Sequence, residues 1–255
     1  ASNGQHQRRE WFGTACCPAN IARLVTSVGS YIYGQGNDGI WVNLFVNSNT
    51  TMKVGNVNVP VSIETNYPWD GKVRIHVDPE KKVKTKLYVR IPGWSEGVIV
   101  PGDLYSHLDD VPDQVTSHLT EEDIPHTYKN GYMVIEREWK KGDVIEYHFT
   151  MEPMKVIASG DVLQDQERIA LQRGPFVYCV EGADNPEGVW NLTLPVGTEF
   201  TTTDYKVLDE PVVAIQAEVP AATASARGDS IVMETRKITA IPYYTWANRG
   251  PNAMQ

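Results

Sequence analysis

The sequence feature that most constrains the fold is a change of hydrophobic periodicity at Gly39. Before it, Pro18 suits a first helical position, and apolar residues then recur at the spacing of a single helix, as Ile21, Leu24, Val25, Val28 and Ile32. After it, apolar residues alternate with polar ones in short runs separated by turn residues, which predicts strands. The predicted strands are Ile40–Val46, Val61–Thr65, Val73–Val77, Lys86–Ile91, Tyr132–Arg137, Val144–Phe149, Lys155–Ala158, Ile169–Gln172, Phe176–Glu181, Val212–Ala217 and Ile231–Thr235.

Regularly spaced short strands favour a mainly β chain built from two β-sandwich, jelly-roll-like units. The 255 residues suffice for two domains of ordinary size. Turn residues near Met151-Glu152-Pro153 predict a helical segment at 1–36, a first sandwich at 37–152 and a second at 153–255. Asn130-Gly131 predicts a two-residue type I′ hairpin turn, and Pro101–Tyr128 and Ala183–Thr203 are predicted loops. The lone amphipathic helix requires a partner surface, either on the strands or in a helical domain outside this sequence.

Composition excludes several classes of function. The net charge of −9 argues against nucleic-acid or anionic-lipid partners, and no apolar run approaches the ~20 residues of a membrane span. The first ten residues are polar and lack the apolar core of a signal peptide, so they do not identify a compartment. The chain does not begin with Met, which suggests processing or excision from a longer protein.

The adjacent thiols of Cys16 and Cys17 are the main candidates for chemistry. By themselves they fit buried small hydrophobes or a strained vicinal disulfide. Cys179 alternates with Val177 and is expected in a strand core. Weaker candidates are a cation site among the loop histidines, carboxylate pairs and sugar-stacking aromatics, namely His107, His118, His126, Asp109-Asp110, Glu121-Glu122, Trp69 and Trp246. His6, His76 and His148 also lack metal-ligand spacing.

Several motifs occur in one order along nearly the whole chain. They are WFGTACCPAN at Trp11–Asn20, WVNLFV at Trp41–Val46, YPWDG at Tyr67–Gly71, RIPGW at Arg90–Trp94, NGYMVIEREW at Asn130–Trp139, QRGPFVYCVE at Gln172–Glu181 and PYYTWANRG at Pro242–Gly250. Together they resemble glycoside hydrolase family 127, the β-L-arabinofuranosidase-like enzymes. Ala19 departs from the family pattern, which usually has a second Pro there.

The resemblance implies a longer parent with an (α/α)6 barrel followed by β-sandwiches, of which residues 1–36 would be the last barrel segment. It implies that Cys16 is the nucleophile of a retaining mechanism, and that Cys16 and Cys17 bind zinc with a Glu and a Cys upstream. A separate upstream Glu would be the acid/base. We therefore expect residues 1–255 alone to be inactive and to bind zinc weakly or not at all.

The same resemblance indicates which partners to expect. They are a carbohydrate substrate for the parent and the N-terminal barrel, with self-association through residues 18–33 when that barrel is absent. The other possibility is a non-catalytic module that binds carbohydrate or has a structural role, with an inert cysteine pair.

Overall fold

The computed structural model describes residues 8, 13, 15–110, 115–119, 122–225 and 227–255, and only the backbone of 115–119 and 122–123. His6, Glu121 and residues 11, 12 and 14 of the cysteine motif lie outside the described residues, as does the side chain of His118. The described helices are α1 (Cys16–Ser27) and α2 (Gly29–Ile32), with three short 3-10 turns elsewhere. No helix in the described part of the chain is long and apolar enough to cross a lipid bilayer.

The strands confirm that the fold is mainly β. In chain order they are β1 (Tyr33–Gly36), β2 (Gly39–Val42), β3 (Ser48–Val54), β4 (Val57–Thr65), β5 (Lys72–Val77), β6 (Val83–Arg90), β7 (Tyr105–His107), β8 (Val115–Leu119), β9 (Glu122–Asp123), β10 (Thr127–Lys129), β11 (Tyr132–Trp139), β12 (Asp143–Phe149), β13 (Pro153–Ala158), β14 (Ala170–Arg173), β15 (Phe176–Val180), β16 (Thr201–Val207), β17 (Glu210–Ala224) and β18 (Ile231–Pro242). Every strand predicted from the sequence overlaps one of these. The predicted helix divides at Val28, and β1 follows it directly.

The described residues form two compact units. The first takes its residues from 12–101 and 110–151, and the second from 1–11, 102–109 and 152–255. Residues 102–109 thus belong to the second unit, because β7 pairs with β13 there. The domain limits after residues 36 and 152 stay predictions.

The first unit is a sandwich of two sheets with a shared core. One sheet has the order β1-β2-β6-β11-β10, with a parallel β2–β6 pair, and the other has the order β3-β4-β5-β12-β8-β9. Inward-facing residues of both sheets meet in one apolar cluster, which includes Leu87 and Trp139 from the first sheet and Ile75 and Tyr147 from the second. Burial of these side chains removes apolar surface from water and holds the sheets together.

The second unit has one antiparallel sheet of the order β16-β17-β18-β15-β14-β13-β7. Its core contains strand residues such as Val180, Ile215 and Ile238, together with Val189 from the connection between β15 and β16. Partly buried side chains at Leu192, Leu194 and Phe200 of that connection also pack on the core. The predicted loop at 183–203 therefore supplies apolar cover for the sheet.

The predicted hairpin turn is confirmed. Lys129 pairs with Tyr132 across the end of β10 and β11, which leaves Asn130 and Gly131 as the two-residue loop. Asn130 has a φ of 51° and Gly131 a φ of 74°, as a type I′ turn requires.

Candidate functional site

Cys16 and Cys17 form the beginning of helix α1. Pro18, next along the chain, is compatible with a first helical turn because its missing N–H would have no partner there. Ala15 precedes the helix and supplies no side-chain cap, so the first backbone N–H groups receive no side-chain acceptor from it. Asn20 Nδ2 donates to the Cys16 carbonyl at 2.8 Å, and this bond fixes the first turn around the thiols.

The two thiols are exposed, free and close together. The Sγ atoms lie 3.7 Å apart, well beyond the ~2.05 Å of a disulfide bond. Two sulfurs bound to one tetrahedral zinc at ~2.3 Å lie about 3.8 Å apart. The pair therefore has the spacing of two ligands on a single zinc ion.

The donor set in the described part of the chain is nevertheless incomplete for zinc. Structural zinc sites generally use four ligands. Across residues 15–110, 122–225 and 227–255, no group of three or more His, Cys, Asp or Glu side chains could hold a metal ion. Cys16 and Cys17 thus fit zinc chemically and geometrically as two of its ligands, and a complete site would need further ligands.

Helix α1 exposes its apolar stripe. Ile21, Leu24 and Val25 are 62%, 57% and 64% exposed, and the helix has no buried residue. Cys17 lines a shallow groove together with Ile21 and Val25, so the second thiol borders this stripe. The α1 part of the predicted stripe does not dock on the described strands of its own unit, whereas Ile32, the last residue of the stripe, is buried in the core of that unit. Docking on the strands was one of the two arrangements expected from the sequence.

Cys179 lies in the core, which confirms its prediction. Its side chain in β15 is buried, and this burial raises the pKa of the thiol to about 12. The thiol is therefore protonated and unreactive at neutral pH, unlike a catalytic cysteine.

The other candidates are not brought together into a site. Asp109 accepts a hydrogen bond from Lys155 Nζ at 3.3 Å, an ordinary ion pair within the second unit. Burial lowers the pKa of His107, which favours its neutral form. Trp246 stacks on Tyr243 with ring centroids 5.7 Å apart, and Trp69 is half-buried. None of these residues belongs to a group with metal-ligand geometry in the described chain.

Comparison with family models and known proteins gives a consistent result. Residues 39–151 match the middle domain of the GH127 β-L-arabinofuranosidases, and residues 153–255 match the C-terminal domain of glycoside hydrolase family 127. A non-reducing end β-L-arabinofuranosidase of Bifidobacterium longum subsp. longum is 31% identical over an alignment of 264 positions, which covers 95% of this chain and 36% of the relative.

Solved structures agree with these matches. A GH127 β-arabinofuranosidase superposes with a TM-score of 0.89 at 36% identity, covering all of this chain and 40% of that one. A GH127 β-L-arabinofuranosidase from Geobacillus stearothermophilus T6 has a TM-score of 0.83 at 35% identity, covering 98% of this chain and 38% of that one. The chain thus spans between 36% and 40% of the length of these relatives. With both matched domains and the fold in agreement, the chain belongs to glycoside hydrolase family 127.

Proposed function

We propose that this chain is the C-terminal portion of a retaining glycoside hydrolase that acts on β-L-arabinofuranosides or related glycosides. The observation that carries the proposal is the pair of exposed, free thiols 3.7 Å apart at the start of α1, in a chain of this family. Exposure matters because a buried thiol such as Cys179 could not reach a sugar.

In this mechanism Cys16 is the nucleophile. Its sulfur attacks the anomeric carbon, and an S–C bond forms as the glycosidic C–O bond breaks. A general acid outside the described residues gives its proton to the leaving oxygen. The same group then takes a proton from water, which displaces Cys16 and restores the original configuration.

Cys16 and Cys17 would hold zinc in the complete site. Bound zinc would keep their thiols deprotonated, as coordinating thiols are. The start of α1 adds a partial positive charge at the same position. Asn20 holds the backbone of this turn through its bond to the Cys16 carbonyl, and Arg23 Nη2 in turn donates to Asn20 Oδ1 at 2.5 Å.

The decisive experiment compares residues 1–255 with the longer parent on an aryl β-L-arabinofuranoside, with bound zinc measured alongside. We expect the 255-residue chain to be inactive and to bind zinc weakly. In the parent, Cys16→Ala should lower turnover by about a thousandfold or more, because it removes the nucleophile. Cys17→Ala should reduce zinc content first and activity as a consequence.

Ser30→Ala, an exposed change in α2, is the matched control and should leave both zinc content and turnover unchanged. Zinc-dependent turnover by residues 1–255 alone would contradict the proposal that the site is completed elsewhere. Full activity of the Cys16→Ala parent would contradict the assignment of the nucleophile. A parent that binds arabinosides without hydrolysing them would instead favour the non-catalytic module.

We further propose that the exposed stripe of α1 packs against the N-terminal barrel of the parent. Each such side chain contributes about 1.5–3 kcal/mol when fully buried.

In the 255-residue chain alone, we expect the stripe to pair with a second copy through residues 18–33. Leu24→Glu should then shift sedimentation from dimer to monomer, whereas Ala19→Glu, an exposed change outside the stripe, should not. Wild-type chain that stays monomeric at high concentration would contradict this pairing.

A further inference from the structure

The second unit contains a cavity of about 740 Å3. Its walls come from β13, β14, β15, β17 and β18 of the sheet and from residues 190–194 of the covering connection. Small-molecule sites in proteins usually measure about 300–1,000 Å3. The cavity therefore has the size of a ligand site.

The floor of the cavity is apolar. It is formed by buried side chains of the sheet, namely Leu171, Tyr178, Val180, Val219 and Ile238. The Tyr178 hydroxyl donates to the Val213 carbonyl at 2.9 Å, so its hydrogen-bonding capacity as a donor is already used. A floor of this kind favours an apolar group over a polar one.

The rim of the cavity, unlike its buried apolar floor, is formed by exposed residues. Trp190 is 68% exposed, and Glu167 and Arg168, which line the same cavity, are exposed as well. Asp165 also lines the cavity and accepts a hydrogen bond from the Tyr105 hydroxyl at 3.1 Å. Glu167 has a φ of 60°, and residues in such sparsely populated conformations cluster at binding sites.

The chemistry of the rim suits a neutral sugar. Carboxylates accept hydrogen bonds from hydroxyl groups, a guanidinium donates them, and an exposed indole offers a flat apolar face to the C–H side of a sugar ring. Two carboxylates against one guanidinium disfavour an anionic ligand. The apolar floor requires that the same ligand also carry an apolar group.

We propose that this cavity binds an amphipathic glycoside, with the neutral sugar at the rim and the apolar aglycone on the floor. The cavity lies within the second unit, whereas Cys16 and Cys17 belong to the first. The proposal rests on the proposed function only for the choice of arabinose in the probe.

The test is calorimetric titration of the 255-residue chain with phenyl α-L-arabinofuranoside. The α-linkage keeps the probe from being consumed by an activity directed at β-linkages. The two halves of the probe, methyl α-L-arabinofuranoside and phenol, are titrated separately. We expect the whole glycoside to bind at least about tenfold more tightly than either half, because it occupies rim and floor together.

Variants then place the binding in the cavity. Trp190→Ala should weaken binding about tenfold or more, and Glu167→Gln severalfold, without a change in the thermal midpoint because both side chains are exposed. Tyr128→Ala, an equally exposed aromatic in the first unit, is the matched control and should bind as the wild type does. Cys16 is not part of the cavity lining, so Cys16→Ala should also bind as the wild type does.

Absence of binding at millimolar concentration would overturn the proposal. So would phenol binding as tightly as the glycoside, since the cavity would then recognise only apolar molecules. Unchanged affinity in the folded Trp190→Ala variant would likewise overturn it.

Discussion

Helix α1 and strand β11 belong to the same unit and are both rich in apolar residues, but only the strand buries them. Met133, Ile135 and Trp139 of β11 are fully buried in the core between the two sheets. Ile21, Leu24 and Val25 of α1 remain more than half exposed. Among the described residues, the sheets have apolar partners, whereas α1 buries no side chain. An apolar pattern therefore identifies a face that requires an apolar partner, but it does not show where that partner lies.

The largest expected difference between the two regions comes from truncating a large apolar side chain in each. Trp139→Ala should lower the free energy of unfolding by about 3–5 kcal/mol, because it opens a cavity in the core. It also leaves the Thr85 carbonyl without the hydrogen bond from Trp139 Nε1, which measures 3.0 Å. Leu24→Ala should change stability by less than about 0.5 kcal/mol, as exposed substitutions do. Urea denaturation of the monomeric chain measures the free energy of unfolding of both variants. Equal losses of stability in the two variants would show that α1 is packed in solution.

Two glycines of the first unit, one beside the core strand β12 and one in helix α2, provide a second comparison. A Cβ at Gly71 would meet the Phe149 carbonyl oxygen at 1.8 Å, and this backbone atom cannot move aside easily. Gly71→Ala should therefore destabilise the first unit by about 2–3 kcal/mol. A Cβ at Gly29, in α2, would meet nothing within 4 Å, so Gly29→Ala should stabilise by about 0.5–1 kcal/mol. Urea denaturation midpoints of Gly71→Ala and Gly29→Ala that shift in the same direction would contradict this expectation.

A third comparison concerns the hairpin turn between β10 and β11. Gly131→Val should destabilise by about 1–2 kcal/mol, because it places a β-branched residue in a left-handed conformation. Lys129→Val, an exposed change in the adjoining strand, should alter stability by less than about 0.5 kcal/mol. Equal midpoints for the two variants would mean that the turn does not hold Gly131 at a positive φ in solution.

The strands that sequence patterns missed have a common location. None of the six edge strands of the three described sheets is predicted from the sequence. They are β1 and β10, β3 and β9, and β16 and β7. An edge strand has a neighbour on one side only, and its side chains are more often exposed, so its residues need not alternate. In β3 the burial alternates, but the polar residues Ser48 and Thr50 occupy two of its four half-buried positions, so the apolar pattern is weak. β8, which lies between β12 and β9, was missed as well.

The sequence patterns identify the two thiols but not the cavity of the second unit. Cys16 and Cys17 were identified from a local motif, and the structure adds their exposure and their 3.7 Å separation. Trp190 was not singled out, because it is an isolated aromatic in a predicted loop with no motif around it. Its only signal is a large apolar residue among the polar and turn residues of EGVWN. Its place at the rim of a cavity depends on strands distant in sequence.

The sequence alone determined the mainly β character, the central strands, the hairpin turn and the family, because each follows from local periodicity, turn chemistry or ordered motifs. Only the tertiary structure decided that β7 joins the second sheet, that the connection after β15 covers that sheet, and that α1 lacks a partner in its own unit. These features depend on pairings and contacts between residues far apart in the chain. Such contacts are selected by the total apolar surface that the fold can bury, which no local pattern records.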